Sequence, residues 1–236
     1  MGKPRGADDI HEKNRRFART KHVDESGAWY SLDNAGIIMP AVTDSRNTGL
    51  FRFEVILKEA PDKEILARAL AQTAARFPYF NVSLRRGFFW YYLDQCPSSP
   101  PLYPDEDQPC QEWNINDKGT RMFRIRLSGK RVAGEFSHAL TDGSGGISFM
   151  KSLLARYFSL RGLDLGIDLG QGEWSDIADP DGSADPEEFE DGYQRFFPGT
   201  LPPPEPNPKA WHQRGPILPR GEYRIITGIV DRKSVV

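Results

Sequence analysis

Apolar and polar side chains alternate along several short stretches of this chain, and a period of two predicts β-strands. The clearest stretch is Gly49–Leu57, where Phe51, Phe53, Val55 and Leu57 fall on one face. Four further stretches, joined in pairs by short turns, predict two hairpins: F-N-V-S-L with F-F-W-Y-Y-L, and M-F-R-I-R-L with V-A-G-E-F-S.

Apolar residues spaced three and four positions apart predict two helices. The first opens at Pro61 and Asp62 and closes at Pro78, because the residue before a proline is pushed out of the α region. Its apolar stripe comprises Ile65, Leu66, Ala69, Leu70 and Phe77. The second helix is predicted over residues 147–157. Together the patterns predict an α/β fold, a mixed and largely antiparallel sheet with helices packed on it.

Composition predicts a folded chain without a strong charge preference for its partners. The 236 residues are 38% hydrophobic, and 31 basic against 33 acidic residues give a net charge of -2. This balance predicts neither a nucleic acid nor a membrane partner. Cys96 and Cys110 lack metal or disulfide spacing and are expected to be free thiols in a reducing compartment. No apolar run approaches about 18 residues and no secretory signal is evident, so a cytoplasmic location is expected.

The chain divides by composition into four parts. Residues 1–27 form a polar leader that is predicted to be flexible, and residues 28–162 carry most of the predicted elements. Residues 163–219 form an acidic and proline-rich excursion. Its first part, Leu163–Gln194, holds eleven acidic and no basic residues, which is typical of a solvated face rather than a binding site. Residues 220–236 carry a predicted closing strand, Tyr223–Val230, apolar enough to need partners on both sides, so the chain is expected to be cut short.

Candidate chemistry is concentrated in the turn H-A-L-T-D-G, which joins the last predicted hairpin strand to the second helix. His138 falls at the strand end, and an imidazole with an ordinary pKa near 6.5 can act as a general base. Asp142 is placed to orient the turn. The same residues also suit a structural turn, in which His138 is half-buried and hydrogen-bonded and Asp142 caps the helix. The turn alone leaves both interpretations open.

Other chemistries fit this turn less well. The nucleophile pattern G-x-S-x-G fails around Ser144, because Asp142 stands where glycine is required. The dinucleotide pattern G-x-G-x-x-G fails at Ser148. A metal site would need a third ligand, and the remaining histidines lie in distant segments, so no metal is expected.

The turn resembles the H-x-x-x-D-G motif of the coenzyme A-dependent acyltransferase superfamily. That group includes chloramphenicol acetyltransferase, peptide-synthetase condensation domains, plant BAHD enzymes and alcohol acetyltransferases. Three more segments, Trp29–Pro40, Arg76–Phe80 and Arg85–Leu93, occur in the same order and resemble the N-terminal half of bacterial alcohol acetyltransferase-like proteins. The resemblance covers roughly residues 29–162 and implies a chloramphenicol acetyltransferase-like lobe.

This resemblance implies a role for each motif residue. His138 would take the proton of an alcohol or amine acceptor as it attacks an acyl-coenzyme A, with acetyl-coenzyme A as the simplest donor. Asp142 would pair with an arginine and hold the loop, and Gly143 would keep the substrate channel open. No covalent enzyme intermediate and no metal are implied.

Weaker candidates come from the aromatic segments. Trp90, in the run Phe88–Tyr92, could line an acceptor pocket, and Tyr30 and Asn34, with their neighbours Trp29 and Asp33, could border the site.

The resemblance also implies that this chain is one lobe of two. Family members are nearly twice as long, and nothing here matches the D-F-G-W-G-type motif of the second lobe in the plant enzymes. A missing C-terminal lobe, or self-association through the surface that would meet it, is therefore expected. Condensation domains often carry a second histidine where this chain has Ser137, which favours a free-standing acetyltransferase. A condensation-type domain and a non-catalytic lobe that binds an acyl group, ligand or partner remain the alternatives.

Overall fold

Two four-stranded sheets and three α-helices make up the part of the chain that the computed structural model describes, namely residues 21–24, 27–45, 47–106, 108–112, 119–166 and 172–191. The helices are α1 (Asn34–Val42), α2 (Lys63–Arg76) and α3 (Gly143–Leu160). The strands are β1 (Lys21–Asp24), β2 (Gly27–Ser31), β3 (Leu50–Ile56), β4 (Val82–Arg86), β5 (Tyr91–Gln95), β6 (Leu102–Pro104), β7 (Phe123–Ser128) and β8 (Arg131–Ser137).

The sheets are mixed and largely antiparallel, as predicted. The first has the order β1-β2-β5-β4 and is antiparallel throughout. The second has the order β3-β8-β7-β6, and only its edge pair β6–β7 is parallel. Among the described residues, an isolated bridge between Ser83 and Arg121 links the two sheets, and beside it the Met122 N–H donates to the Val82 carbonyl at 3.0 Å. An α/β fold with helices packed on antiparallel-rich sheets is thus confirmed, with two sheets where one was expected.

Most of the predicted elements are present with shifted ends. Strand β3, helix α2 and both hairpins, β4–β5 and β7–β8, are confirmed. Helix α3 begins at Gly143, four residues before the predicted start, because Asp142 caps it. Strand β1 lies where a flexible leader was expected, and α1 was not predicted at all. The predicted strand Tyr223–Val230 lies outside the described residues.

The hydrophobic core lies on one face of the second sheet, beneath α2 and α3, and extends to buried side chains of the first sheet such as Tyr30, Leu84 and Leu93. A row of three aromatic rings crosses that face, since Phe51 on β3 and Phe123 on β7 both pair with Phe136 on β8. Phe149 of α3 packs on this row, with its ring centroid 4.9 Å from that of Phe123 and 5.9 Å from that of Phe136. Burial of such large apolar side chains is the main term that holds α3 on the sheet.

The opposite face of the same sheet carries a buried ionic row. Arg52 and Arg124 flank Glu135 on the neighbouring strands, and Glu135 is fully buried. Arg52 Nη1 lies 3.0 Å from Glu135 Oε1, Arg52 Nη2 lies 2.6 Å from Asp105 Oδ2, and Arg124 Nε contacts Glu135 Oε2. Burial alone would raise the pKa of Glu135, but the N–H of Cys110 and these guanidinium groups outweigh it, and the pKa is lowered.

The acidic excursion is not simply a solvated face where the structure describes it. Over residues 172–191, three of its carboxylates pair with basic side chains of α2 and α3: Lys151–Asp176 at 2.6 Å, Arg156–Asp181 at 2.7 Å and Arg76–Glu188 at 2.6 Å. Ile177 is buried among the same contacts. The prediction missed this because the basic partners lie on elements distant in sequence.

Both cysteines are free, as predicted. Burial raises the pKa of the Cys96 thiol and of the Cys110 thiol. In the described part of the chain, no helix combines the length and the hydropathy needed to cross a bilayer.

Candidate active site

His138 lies immediately after β8 and continues its pairing with β3. Its backbone N–H donates to the Gly49 carbonyl at 2.9 Å, which fixes the residue at the sheet edge. The side chain is exposed, and its ring lies against Phe51 with a centroid distance of 4.5 Å and an interplanar angle of 39°. Within the described ranges the imidazole makes no hydrogen bond. This geometry differs from that of a half-buried and hydrogen-bonded structural histidine.

Two backbone hydrogen bonds and a side chain shape the turn after His138. The N–H groups of Leu140 and Thr141 donate to the Ser137 carbonyl at 2.9 and 3.2 Å. The Ser137 hydroxyl accepts from the Ala139 N–H at 3.2 Å. Because Ala139 and Leu140 are also buried, the turn is held from below while His138 points outward. Ser137 is therefore a buried turn residue.

Asp142 is the N-cap of α3. Its Oδ1 accepts from the Gly145 N–H at 2.9 Å, and its backbone is extended, with φ -90° and ψ -174°. This contact satisfies one of the donors left unpaired at a helix start. Among the described residues no arginine forms an ion pair with Asp142, and the arginine partner implied by the resemblance stays a prediction. Asp142 orients the turn through its cap.

The glycines after Asp142 differ in what they permit. A Cβ on Gly146 would lie 2.9 Å from Phe51 Cε2 and 3.1 Å from Phe53 Cε2, so only glycine lets α3 approach these rings. A larger residue at position 146 would therefore press on Phe51, on which the His138 ring rests. A Cβ on Gly143 would meet only Phe53 Cζ, at 3.9 Å, which is ordinary contact. The channel role that the resemblance implies for Gly143 stays a prediction.

The weaker candidates lie on elements other than the motif turn, although the first turn of α1 adjoins it, since a Cβ on Gly36 would lie 3.0 Å from the Ala139 carbonyl oxygen. Tyr30 is fully buried in the core and packs edge-on against Phe189, with ring centroids 5.7 Å apart, so its proposed contact with substrate stays a prediction. Asn34 begins α1, and its backbone N–H donates to Asp191 Oδ2 at 3.3 Å. Trp90 lies in the exposed β4–β5 turn, which belongs to the other sheet.

Their neighbours have structural contacts of their own. Asp33 caps α1 through a 2.6 Å contact from the Gly36 N–H. Trp29 stacks on His22 with a centroid distance of 3.9 Å.

Two cavities flank the motif turn, and His138 lines neither of them. The smaller, of about 100 Å³, is lined by Ser137 and Ala139 on either side of His138 and by Met39 and Thr43 of the α1 end. The larger, of about 400 Å³, lies on the other side of the turn, between Thr141 and the acidic excursion. The imidazole therefore faces the open surface of the described residues.

Sequence reasoning did not identify the ring on which the imidazole rests or the glycine beside that ring. Phe51 was predicted only as one of the apolar positions on one face of a strand, since cross-strand register cannot be read from one strand. Gly146 was noted only as part of a glycine-rich turn. A small residue one turn into a helix is nevertheless a signal that the helix start approaches something closely.

Comparison with known proteins finds structural similarity alone. No protein-family model matches the chain, and no curated protein matches it. Polyketide synthase associated protein 5 from Mycobacterium tuberculosis superposes with a TM-score of 0.43 at 14% identity, over 56% of this chain and 33% of that one. The starter condensation domain of rhizomide synthetase RzmA gives a TM-score of 0.47 at 12% identity, over 60% and 41%. The X-domain in complex with OxyB from teicoplanin biosynthesis gives 0.47 at 16%, over 69% and 36%.

This chain spans only about a third to two fifths of the length of each of these three structures.

Proposed function

We propose that this chain supplies the general base of an acyl transfer, in which an acyl group moves from a coenzyme A thioester to an alcohol or amine. One observation carries the proposal. The imidazole of His138 is exposed, lies against Phe51 and has no hydrogen-bond partner among the described residues, so it is free to accept a proton. The H-x-x-x-D-G resemblance supports the same role for this position.

The proposed reaction needs one proton shuttle and no covalent enzyme intermediate. Neutral His138 takes the proton from the acceptor O–H or N–H while the acceptor's lone pair attacks the thioester carbonyl carbon. The tetrahedral intermediate then collapses, and the carbon–sulfur bond breaks. The departing thiolate receives the proton from the imidazolium, which restores neutral His138 and leaves the ester or amide with free coenzyme A.

Positioning in this proposal comes from contacts on either side of the imidazole. The Gly49 carbonyl holds the His138 backbone, and Phe51 limits the orientations open to the ring. Asp142 fixes the turn by capping α3. A base held in place in this way loses less orientational freedom when the acceptor binds, which lowers the barrier for proton transfer.

The test is release of free thiol from acetyl-coenzyme A in the presence of alcohols and amines. It is run with the 236-residue chain and with the longest product of the native gene. His138→Ala is expected to lower turnover by roughly two to four orders of magnitude. His22→Ala is the matched control, because His22 is also an exposed, ring-stacked histidine on a strand and should leave turnover unchanged. Equal turnover in wild type and His138→Ala, both folded by circular dichroism, would refute the proposal.

A second candidate is a non-catalytic lobe that binds an acyl group or a partner. It is favoured by the position of His138 outside both cavities and by the missing arginine partner of Asp142 among the described residues. Binding of a non-cleavable thioester analogue with no thiol release from any acceptor would select it. A condensation-type domain is distinguished by its donor, since carrier-protein thioesters would then react where coenzyme A thioesters do not.

A further inference from the structure

The β4–β5 turn presents three consecutive aromatic side chains to the outside. Phe88 is 93% exposed, Phe89 is 87% exposed and Trp90 is 60% exposed. The two phenylalanine rings contact each other, with centroids 5.4 Å apart. We call residues 88–90 the aromatic tip. Isolated apolar residues are common on protein surfaces, but a contiguous aromatic group marks an interaction site.

The aromatic tip is held by the hairpin beneath it. Arg86 pairs with Tyr91 at the strand ends, and the Gly87 N–H donates to the Trp90 carbonyl at 2.7 Å. The rings are therefore presented on a closed turn anchored to a four-stranded sheet. A closed turn of this kind presents them outward without the cost of ordering a long loop.

The charges next to the aromatic tip are basic. Residues 85–92 read R-R-G-F-F-W-Y-Y and contain no acidic side chain. Arg85 pairs with Asp94 at 3.3 Å, whereas the exposed Arg86 forms no ion pair within the described ranges. Arg86 ends β4 immediately before the turn, and a cation at this position complements an anionic surface that the rings could enter.

We propose that the aromatic tip inserts into the headgroup region of an anionic lipid bilayer, with Arg86 paired to lipid phosphate or carboxylate. Aromatic side chains favour the membrane interface, and arginines add attraction to anionic lipids. The exposed tip offers roughly 450 Å² of aromatic surface, from about 150–250 Å² per side chain, against about 800 Å² per partner in a stable protein interface. The tip is thus too small for a stable protein interface but adequate for shallow insertion.

This mode of binding requires no spanning helix, because the chain would lie on the bilayer rather than cross it. It also revises the expectation of no membrane partner. That expectation rested on the net charge of the whole chain, which does not show where aromatic and basic residues meet.

The test measures partitioning of the full chain onto phosphatidylcholine vesicles with and without phosphatidylserine. Phe88→Ser/Phe89→Ser is expected to weaken binding to the anionic vesicles by about tenfold or more, because two rings leave the interface. Ile37→Ser/Ile38→Ser is the matched control, since it removes two exposed apolar side chains from α1 and should change binding less than twofold. Arg86→Glu should weaken binding to anionic vesicles and leave binding to neutral ones unchanged.

A second measurement begins with the wild-type chain and needs only one conservative replacement. Lipids brominated near the headgroup should quench the fluorescence of the wild-type chain, and Trp90→Phe should abolish that quenching. The proposal is overturned if the tip and control double variants bind equally, or if quenching survives Trp90→Phe. It is also overturned if sedimentation shows that the aromatic tip joins two copies of the chain in the absence of lipid.

Discussion

Replacing Glu135 by glutamine should destabilise this protein more than any other single charge removal in the buried ionic row. Glu135 is fully buried and accepts from Arg52, Arg124 and the backbone N–H of Cys110. Glutamine keeps the shape and one acceptor oxygen but removes the charge. The guanidinium groups of Arg52 and Arg124 would then be buried without enough negative charge nearby to compensate them.

The size of the effect follows from burial. Removing one partner of a buried ion pair costs about 3–5 kcal/mol, and the retained acceptor places Glu135→Gln near the lower end. The matched control is Glu54→Gln, which removes a carboxylate that also pairs with Arg52, at 3.2 Å, but whose side chain is 47% exposed. An exposed pair of this kind contributes less than about 1 kcal/mol.

Urea unfolding followed by circular dichroism measures both variants. With a slope of about 2 kcal/mol per molar urea, Glu135→Gln should lower the midpoint by about 1.5 M and Glu54→Gln by less than about 0.5 M. If the slopes against urea concentration are unchanged, the variants differ from the wild type in the free energy of unfolding and not in the surface that unfolding exposes. Equal midpoints for the two variants would show that a buried carboxylate stabilises the sheet no more than an exposed one, and this would refute the reasoning.

Two further predictions concern the helix cap and acid stability. Asp142→Ala should lower the free energy of unfolding by about 1 kcal/mol, because it removes the α3 cap. Asp142→Asn should lower it much less, because asparagine can also cap a helix. The urea midpoints of the two variants test this difference. The pKa values of Asp105 and Glu135 lie below their ordinary values of 3.8 and 4.5. The two ionised carboxylates therefore stabilise the folded state fully above the ordinary pKa values, and this stabilisation is lost as the pH falls through the lowered pKa values. The urea midpoint of the wild type should therefore decrease as the pH is lowered below about 5, and this decrease should be smaller in Glu135→Gln. Parallel curves of midpoint against pH for the two proteins would contradict this assignment.

Local patterns predicted the strands and α2 well, because their signals lie within a few residues. The alternation around Phe51 and the cap at Asp62 needed no knowledge of the rest of the chain. Helix α3 was predicted to start late because its first turn is glycine-rich and carries no apolar stripe. The run Phe88–Trp90 looked like a strand by composition, yet the turn closes at Gly87 and leaves these rings outside the sheet.

The candidate site was only half predictable, because its contacts cross between elements. His138 and Asp142 are close in sequence and could be singled out together. The contact of His138 with Phe51 depends on the register of β3 against β8, and the burial of Tyr30 could not be predicted for the same lack of register. The ionic row was also missed, although arginine alternates with apolar residues in M-F-R-I-R-L. Such alternation in a strand with a covered face indicates a buried charge that must find a partner.

The two unlike faces of β8 determine where the imidazole lies. Phe136 belongs to the aromatic face and Glu135 to the ionic face. If β8 slipped by one residue against its neighbours, the carboxylate would enter the aromatic core and the ring would enter the arginine row. Both errors are costly, and a slip by two residues would instead move Glu135 away from Arg52 and Arg124, opposite which it lies. His138 directly follows this strand. Its position at the sheet edge is therefore fixed by the contacts of Phe136 and Glu135, which take no part in the proposed reaction.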